Sequence, residues 1–145
     1  MMVRYLVPAD LEQAAQIEAA CFHESWSRAL LEESLKSPWN LLLAAEEGGR
    51  LVGYGAACVI GGEGEIQRLA ILKDYRQNGR GRELLEGLVK AAKEKGARAM
   101  TLEVRESNLA ARRLYISAGF REEARRKDYY RAPREDAVIM WARTL

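Results

Sequence analysis

The sequence predicts an α/β domain with a mixed β-sheet, on the strength of three observations. Short apolar runs typical of strands alternate with segments whose apolar residues recur at helical spacing. Glycine-rich turns separate three consecutive strands in the middle of the chain, which indicates an antiparallel meander. Later strand–helix–strand units need helices on the faces of the sheet. The predicted order is β-α-α-β-β-β-α-β-α-β-β over residues 1–145, interpreted as one domain.

The first half of the chain is predicted to hold one strand, two helices and the meander. A strand over 3–7 is closed by Pro8. Asp10 is expected to cap the first helix, with Gln13 as its capping-box partner. Ser27 is expected to cap the second helix, which ends before Pro38. The meander strands are predicted over 39–45, 51–60 and 65–72.

The second half is predicted to hold two helices and three strands. A long helix over 81–95 has one apolar face, and Gly96 ends it. A second helix over 108–118 is capped by Asn108 and ends at Gly119. The strands are predicted over 98–105, 120–128 and 137–143, the last two flanking a polar loop.

The composition excludes several kinds of chemistry. Apolar residues make up 48% and charged residues 30%, which is ordinary for a globular protein. One histidine, His23, and two cysteines, Cys21 and Cys58, cannot complete a tetrahedral zinc site, so we expect no metal. A Ser-His-Asp triad would have to use His23, which shows no sign of a partner.

Targeting features are not found in the sequence. The first dozen residues already contain a proline and two acids, so no signal peptide is expected. No segment approaches the roughly 18 apolar residues of a membrane span. The two cysteines lie in unrelated patterns, which suits reduced thiols. We therefore expect a cytoplasmic protein without a membrane partner.

Charge is distributed unevenly along the chain. The net charge is +2, yet residues 1–50 hold 4 Lys/Arg against 8 Asp/Glu, a net of −4. Residues 51–100 (9 against 6) and 101–145 (10 against 7) are each +3. This excess is too small and too interleaved with acids for a nucleic-acid partner. It suits a small phosphorylated ligand, although a mixed solvated surface explains the charge alone more simply.

The loop Gly79-Arg80-Gly81 is the most informative segment. It follows a strand and opens the long helix, so its glycines permit close approach to free helical N–H groups, which favour an anion. The Rossmann and Walker A patterns are absent. Three nearby arginines, Arg76, Arg80 and Arg82, favour phosphate binding over a simple tight turn.

Two further side chains are candidates for proton transfer. Glu103 lies at the centre of a strand that we expect to be buried on both faces, where a carboxylate is costly unless paired or used. A glutamate near the strand end that reaches water, or an ion pair with Arg105 or Arg68, explains Glu103 equally well. Tyr115 lies seven residues after Asn108, on about the same helical face. A core aromatic role is the simpler interpretation of Tyr115.

Several motifs resemble those of the GNAT-fold acetyltransferases. They are the Arg76-x-x-Gly79-x-Gly81 loop, the Leu-Glu-Val-Arg strand ending at Arg105, and the helix from Asn108 through Tyr115 to Gly119-Phe120. The final stretch resembles the RimI branch, the ribosomal-protein-alanine N-acetyltransferases: it holds Asp128-Tyr-Tyr and Arg134-Glu-Asp-Ala-Val-Ile-Met. Trp26-Ser27 matches the same branch, but Ser25 replaces its usual proline.

The resemblance implies acetyl-coenzyme A as acetyl donor, with coenzyme A as product. Backbone groups of Leu69 and Ile71 would hold the pantetheine arm like an added strand. By the same resemblance, Glu103 is the base, acting through water, and Tyr115 is the acid. Asn108 would contact the coenzyme near its thiol end. The implied coenzyme-binding residues are Leu69, Ala70, Ile71, Arg76, Gln77, Asn78, Gly79, Arg80, Gly81, Arg82 and Asn108.

The resemblance also implies a protein N-terminus as acceptor, most readily the N-terminal alanine of a ribosomal protein. One carboxylate without a strong base favours an α-amine over lysine, because an α-amine is easier to neutralise. The alternatives are a GNAT enzyme for lysine, a polyamine or another small amine, and a coenzyme-A-binding sensor without turnover. The implied acceptor-side residues are Trp26, Tyr129, Tyr130, Arg134, Glu135 and Asp136.

Overall fold

The structure, a computed structural model, describes residues 1–145 and has the predicted order of elements. Most element bounds lie close to the predicted ones. The helices are α1 Leu11–Cys21, α2 Arg28–Lys36, α3 Arg80–Glu94 and α4 Leu109–Ser117. The strands are β1 Met2–Tyr5, β2 Asn40–Glu47, β3 Arg50–Ile60, β4 Glu63–Ile71, β5 Ala99–Arg105, β6 Arg121–Arg131 and β7 Arg134–Ala142. No helix has the length and apolarity that crossing a membrane requires.

All seven strands form one mixed sheet in the order β1-β2-β3-β4-β5-β7-β6. Every pair is antiparallel except β4 and β5, which are parallel because α3 connects them. The predicted meander is β2-β3-β4, and it occupies the centre of the N-terminal half. The fold class predicted from the sequence is therefore confirmed.

The two faces of the sheet are covered unequally. On one face, α3 buries Leu84, Leu85 and Leu88 against strands from both halves of the sheet, and α4 adds Tyr115. On the other face, α1 and α2 cover residues of β2, β3 and β4 but none of β5, β6 or β7. We call the uncovered surface of β5, β7 and β6 on this second side the open face. The expectation that β5 is buried on both faces is wrong, because no helix reaches its open face.

Strands β4 and β5 separate part of the way along their length. Their pairing ends at Ile66 and Leu102, although both strands continue. A bulge at Gln67 shifts the register of β4 against β3 at the same point. Bulges bend a strand and increase its twist. The bulge therefore turns β4 away from β5 and opens a gap between their carboxyl ends.

The hairpin of β6 and β7 is longer than predicted. The segment expected to be a polar loop is largely paired, with Tyr130 opposite Glu135 and Arg131 opposite Arg134. A register shift between Arg126 and Tyr130 accommodates the extra residues of β6. The pairing was missed because β6 is exposed along almost its whole length and therefore lacks the alternating apolar pattern of a half-buried strand.

The capping interaction predicted for α1 is absent. The Asp10 carboxylate accepts from the Val7 N–H (2.9 Å) and from the Arg4 guanidinium (2.7 and 3.0 Å), not from an N–H of α1. A charged donor is a stronger partner than a helical N–H, and its hydrogen bonds lower the pKa of Asp10. The Gln13 side chain instead accepts from the Leu51 N–H at 2.9 Å. The predicted caps of α2 and α4 are present, from Ser27 and Asn108.

Candidate active site

The gap between β4 and β5 leaves backbone groups of β4 without a neighbouring strand. The Leu72 N–H donates to the Val52 carbonyl of β3 at 2.8 Å. Because successive residues of a strand direct their polar groups to opposite sides, the N–H groups of Leu69 and Ile71 point into the gap. Ala70 lies between them and is buried beneath α1. The edge of the gap can therefore pair with an extended ligand.

The loop before α3 presents a run of free backbone donors. None of the N–H groups from Gln77 to Arg82 donates to a backbone acceptor, whereas Glu83 bonds back to Gly79. Gln77 and Gly79 adopt positive φ values of 69° and 79°, which bend the loop into an anion-binding concavity. A Cβ on Gly81 would meet only Leu114, at 3.5 Å, an ordinary contact. Packing within the protein thus leaves room above Gly81, as a closely approaching phosphate requires.

The three arginine side chains of this loop are engaged elsewhere. Arg76 donates to the Ile71 carbonyl at 2.7 Å. Arg80 forms two hydrogen bonds with Glu47 (3.0 and 2.9 Å), which lower the pKa of Glu47. Arg82 contacts Glu86 at 2.8 Å and Ser117 at 3.0 Å. The loop can therefore bind an anion through its backbone N–H groups. The three guanidinium groups lie nearby but already have hydrogen-bond partners within the protein.

Glu103 lies on the open face, where its side chain is 31% exposed. Its ion-pair partner is Arg126, at 3.7 Å, and neither of the two arginines considered from the sequence. The nearby Tyr129 hydroxyl has a raised pKa, first because of a hydrogen bond to Glu103. Glu65 of β4 lies on the same face, and burial followed by the charge of Glu103 raises its pKa. Glu103 is therefore a carboxylate accessible to water and to an incoming amine.

Tyr115 of α4 lies on the opposite face of the sheet, where its side chain joins the core that α3 covers. It is 7% exposed, and its ring packs edge-on against Phe120 with centroids 5.9 Å apart. Burial raises the pKa of Tyr115. A tyrosine hydroxyl is protonated at neutral pH even at its ordinary pKa of about 10. Asn108 at the start of α4 accepts from the Ala111 N–H at 3.2 Å through its side-chain oxygen.

Tyr130 connects the two candidate proton-transfer residues electrostatically. Burial and then the charge of Glu103 raise its pKa to about 12. Tyr130 in turn contributes to the raised pKa of Tyr115. Glu103 and Tyr115 lie on opposite faces of the sheet, because Leu102 and Val104 share the core that contains Tyr115 and Glu103 alternates with them along β5.

The residues expected on the acceptor side fall into two groups. Tyr129 and Tyr130 pack edge-on, with centroids 5.1 Å apart, and Trp26 rests against Arg68. Glu135 pairs with Arg105 at 3.2 Å, and Asp136 accepts from the backbone of Asp128 at 2.9 Å. The two acids therefore hold the hairpin and the end of β5 in place. Arg134 is exposed at the hairpin end.

The sequence reasoning missed a buried polar network beside the gap. Glu18 is fully buried, and its carboxylate contacts Tyr54 and Arg68. The available signal was a glutamate among the apolar positions of the α1 pattern. No group of three or more His, Cys, Asp and Glu side chains is placed to hold a metal ion.

Comparison with known proteins adds independent information. The model of the Acetyltransferase (GNAT) family matches residues 11–120. N-alpha-acetyltransferase RimI of Mycobacterium tuberculosis is 36% identical over 141 residues, covering 93% of this chain and 87% of that protein. The [ribosomal protein bS18]-alanine N-acetyltransferase of Escherichia coli is 34% identical over 137 residues, covering 93% and 92%. The crystal structure of the Escherichia coli ribosomal-protein-S18-alanine N-acetyltransferase superposes with a TM-score of 0.88 at 32% identity, over 97% of this chain and 91% of that one.

Proposed function

The chain belongs to the acetyltransferase (GNAT) family, and from this premise we propose that it acetylates the N-terminus of a protein, at the α-amino group of the N-terminal alanine of ribosomal protein bS18. It is an N-acetyltransferase that uses acetyl-coenzyme A. The observation that carries the proposal is the gap between β4 and β5, with free backbone donors along one edge and the part-exposed Glu103 on one side of the sheet. Residues 1–145 form one catalytic domain.

The donor site combines the edge of β4 with the loop before α3. Leu69 and Ile71 would pair with the extended pantetheine arm, and the N–H groups from Gln77 to Arg82, which have no backbone acceptor, would bind the pyrophosphate. Bound acetyl-coenzyme A supplies a thioester that an amine can attack. The room above Gly81 fits this arrangement, since a phosphate must approach the backbone closely there.

Proton transfer is divided between the two faces of the sheet. An amine attacks only when neutral, and Glu103, accessible to water, takes its proton through a water molecule. Neutralising an α-amine of pKa ~8 at pH 7 costs about 1.4 kcal/mol, against about 4.6 kcal/mol for a lysine of pKa ~10.4. Tyr115, whose hydroxyl is protonated at neutral pH, donates to the leaving thiolate. A site whose base is a carboxylate thus suits the α-amine better than lysine.

The site of action follows from the acceptor. A ribosomal protein as substrate, which the names of the relatives specify for those proteins, supports a cytoplasmic location. The cysteines Cys21 and Cys58 are both free thiols, in keeping with a reducing compartment.

The test is mass spectrometry of a matched peptide panel incubated with acetyl-coenzyme A. The panel contains an alanine-starting peptide with an internal lysine, the same peptide with a blocked N-terminus, and free polyamine. We expect acetylation of the free α-amine alone. Acetylation of the blocked peptide or the polyamine would replace the proposed acceptor, and binding without turnover of any acceptor would indicate a sensor module.

A further inference from the structure

A buried ion pair joins α1 to β4 beside the gap. Glu18 is 0% exposed, and its Oε2 lies 3.1 Å from Nε of Arg68, whose side chain is 19% exposed. The Tyr54 hydroxyl donates to the same carboxylate oxygen. Burying two charges is costly, and packed apolar residues of similar volume are often at least as stabilising. Stability alone therefore explains the pair poorly.

The pair holds the loop between α1 and α2, which we call the 22–27 loop. The Trp26 N–H donates to Oε1 of Glu18 at 2.8 Å, and Arg68 donates to the Glu24 carbonyl at 2.9 Å. These are the only hydrogen bonds made by the backbone of residues 23–26. The guanidinium carbon of Arg68 also lies 4.4 Å from the ring centroid of Phe22 and 4.5 Å from that of Trp26. The loop is thus fixed to the body of the protein through Glu18 and Arg68.

The position of Arg68 ties this loop to the gap. Arg68 follows the bulge residue Gln67, where β4 begins to separate from β5. It pairs with Ala56, which is buried beneath α1, so Arg68 projects from the same side of the sheet. Glu103 lies on that side as well, on the open face of β5. The 22–27 loop therefore borders the gap on the side from which an amine would approach Glu103.

We propose that Glu18 and Arg68 are positioning residues for the acceptor: they hold the 22–27 loop as one wall of the channel through which the acceptor N-terminus reaches Glu103. This inference rests on the proposed function. Neither residue touches the reacting atoms. The donor site uses β4 backbone and the loop before α3, so the effect of the pair is confined to the acceptor. The flat guanidinium suits this task because it pairs with a carboxylate, donates to a carbonyl and stacks on two rings at once.

The test is steady-state kinetics of the double variant Glu18→Gln/Arg68→Met with the alanine-starting peptide. Both charges are removed together, because removing Arg68 alone leaves a buried carboxylate unpaired. We expect the KM for the peptide to rise about ten- to a hundredfold, as for a displaced binding wall, with the KM for acetyl-coenzyme A unchanged. Hydrogen exchange of residues 23–26 should accelerate in the same variant. Arg68→Lys keeps the charge but not the stacking, so its KM should lie between those of the wild type and the double variant.

The matched control is Arg4→Met/Asp10→Asn/Glu46→Gln, which removes all three charges of another partly buried ionic cluster that makes no contact with the 22–27 loop. Its KM for the peptide should equal that of the wild type. A folded double variant with an unchanged peptide KM, or with both KM values raised alike, would overturn the proposal. If the double variant does not fold, the Arg68→Lys variant decides, and wild-type values for its peptide KM and loop exchange would refute it. If the wild type acetylates no N-terminal peptide, the proposed function fails, and exchange of the loop still reports on the pair.

Discussion

At the scale of single residues, the proposed function assigns proton transfer to Glu103 and Tyr115, which lie on opposite faces of the sheet. We expect Glu103→Gln and Tyr115→Phe each to lower kcat by roughly 10²–10⁴-fold, because each removes one proton-transfer group. The KM for acetyl-coenzyme A should change little, since neither side chain belongs to the backbone donor site. Initial-rate assays over a range of acetyl-coenzyme A concentrations, at saturating peptide, measure both kcat and this KM.

Controls for this pair of variants are available on the same chain. Tyr5→Phe alters a tyrosine that is 57% exposed on β1, and Glu94→Gln alters an exposed carboxylate at the end of α3. Both should retain wild-type kcat. Full turnover in the Glu103 and Tyr115 variants would mean that Glu103 serves only as an ion-pair partner of Arg126 and Tyr115 only as a core aromatic residue.

Asp10 supports a prediction about acid stability. Its pKa is lowered in the folded protein, first by hydrogen bonds from Arg4, from an ordinary value of 3.8. A group whose folded pKa is lowered stabilises the fold above its unfolded pKa, and that contribution disappears as pH falls through the folded pKa. Asp10→Asn should therefore reduce the free energy of unfolding at pH 7 by a margin that shrinks below about pH 4.

Urea denaturation of wild type and Asp10→Asn across pH 2.5 to 7 measures that margin, a range set to bracket the ordinary pKa of an aspartate, about 3.9. Glu12→Gln serves as control, since Glu12 is exposed and its contact with Arg28 is 3.5 Å long. If the difference in free energy of unfolding between the wild type and Asp10→Asn stays constant or grows on acidification, the Arg4 contact does not depend on the charge of Asp10.

At the scale of elements, the loop before α3 acts through its backbone. We expect Gly81→Val to weaken coenzyme A binding severely, because a branched side chain would occupy the space that a phosphate needs. The fold should persist, since a Cβ at Gly81 would meet only Leu114, at an ordinary van der Waals distance. Gly79 is a poorer choice because its φ of 79° strains any other residue. Calorimetry with coenzyme A and far-UV circular dichroism measure the two expectations.

Glu94→Val is the matched control for Gly81→Val. It places the same β-branched residue on α3, roughly 20 Å further along the helix axis. Its coenzyme A affinity should equal that of the wild type. Equal affinity in Gly81→Val itself would show that the anion site lies elsewhere.

The order of elements could be predicted from the sequence because each helix and most strands carry a periodic apolar pattern. The end of the exposed strand β6 could not be predicted, since its residues are almost all polar. The charge of the loop before α3 was predictable, but the engagement of Arg80 with Glu47 depends on a contact 33 residues apart. The gap itself depends on the bulge at Gln67, for which the sequence has no glycine signal. Contacts between residues far apart in the sequence therefore limited the prediction of the site more than the prediction of the fold.

At the scale of the whole molecule, acidic groups lie in two places on the proposed acceptor side. The sequence has its acidic excess in residues 1–50, around α1 and α2. In the structure Glu18 is buried against Arg68 and Glu32 pairs with Lys36 at 3.6 Å, whereas Glu12, Glu24 and Glu33 are exposed. The open face adds Glu103, with Glu65 of β4 beside it, and the charges of Glu103 and Glu63 add to burial in raising the pKa of Glu65. A cation bound there would relieve this repulsion.

We therefore expect acceptor peptides with Arg or Lys soon after the reacting residue to have the lower KM. The measurement compares two peptides that differ only in basic or acidic residues at positions two to six, at low and high salt. The basic peptide should lose part of its advantage at high salt, because the Debye length is about 8 Å at physiological ionic strength and shorter above it. Glu65→Gln should reduce the preference, whereas Glu86→Gln, on α3 across the sheet, should not. Equal KM values for both peptides at low salt would mean that the acidic groups of the open face are a solvated surface without influence on the acceptor, and that steering by charge plays no part in its choice.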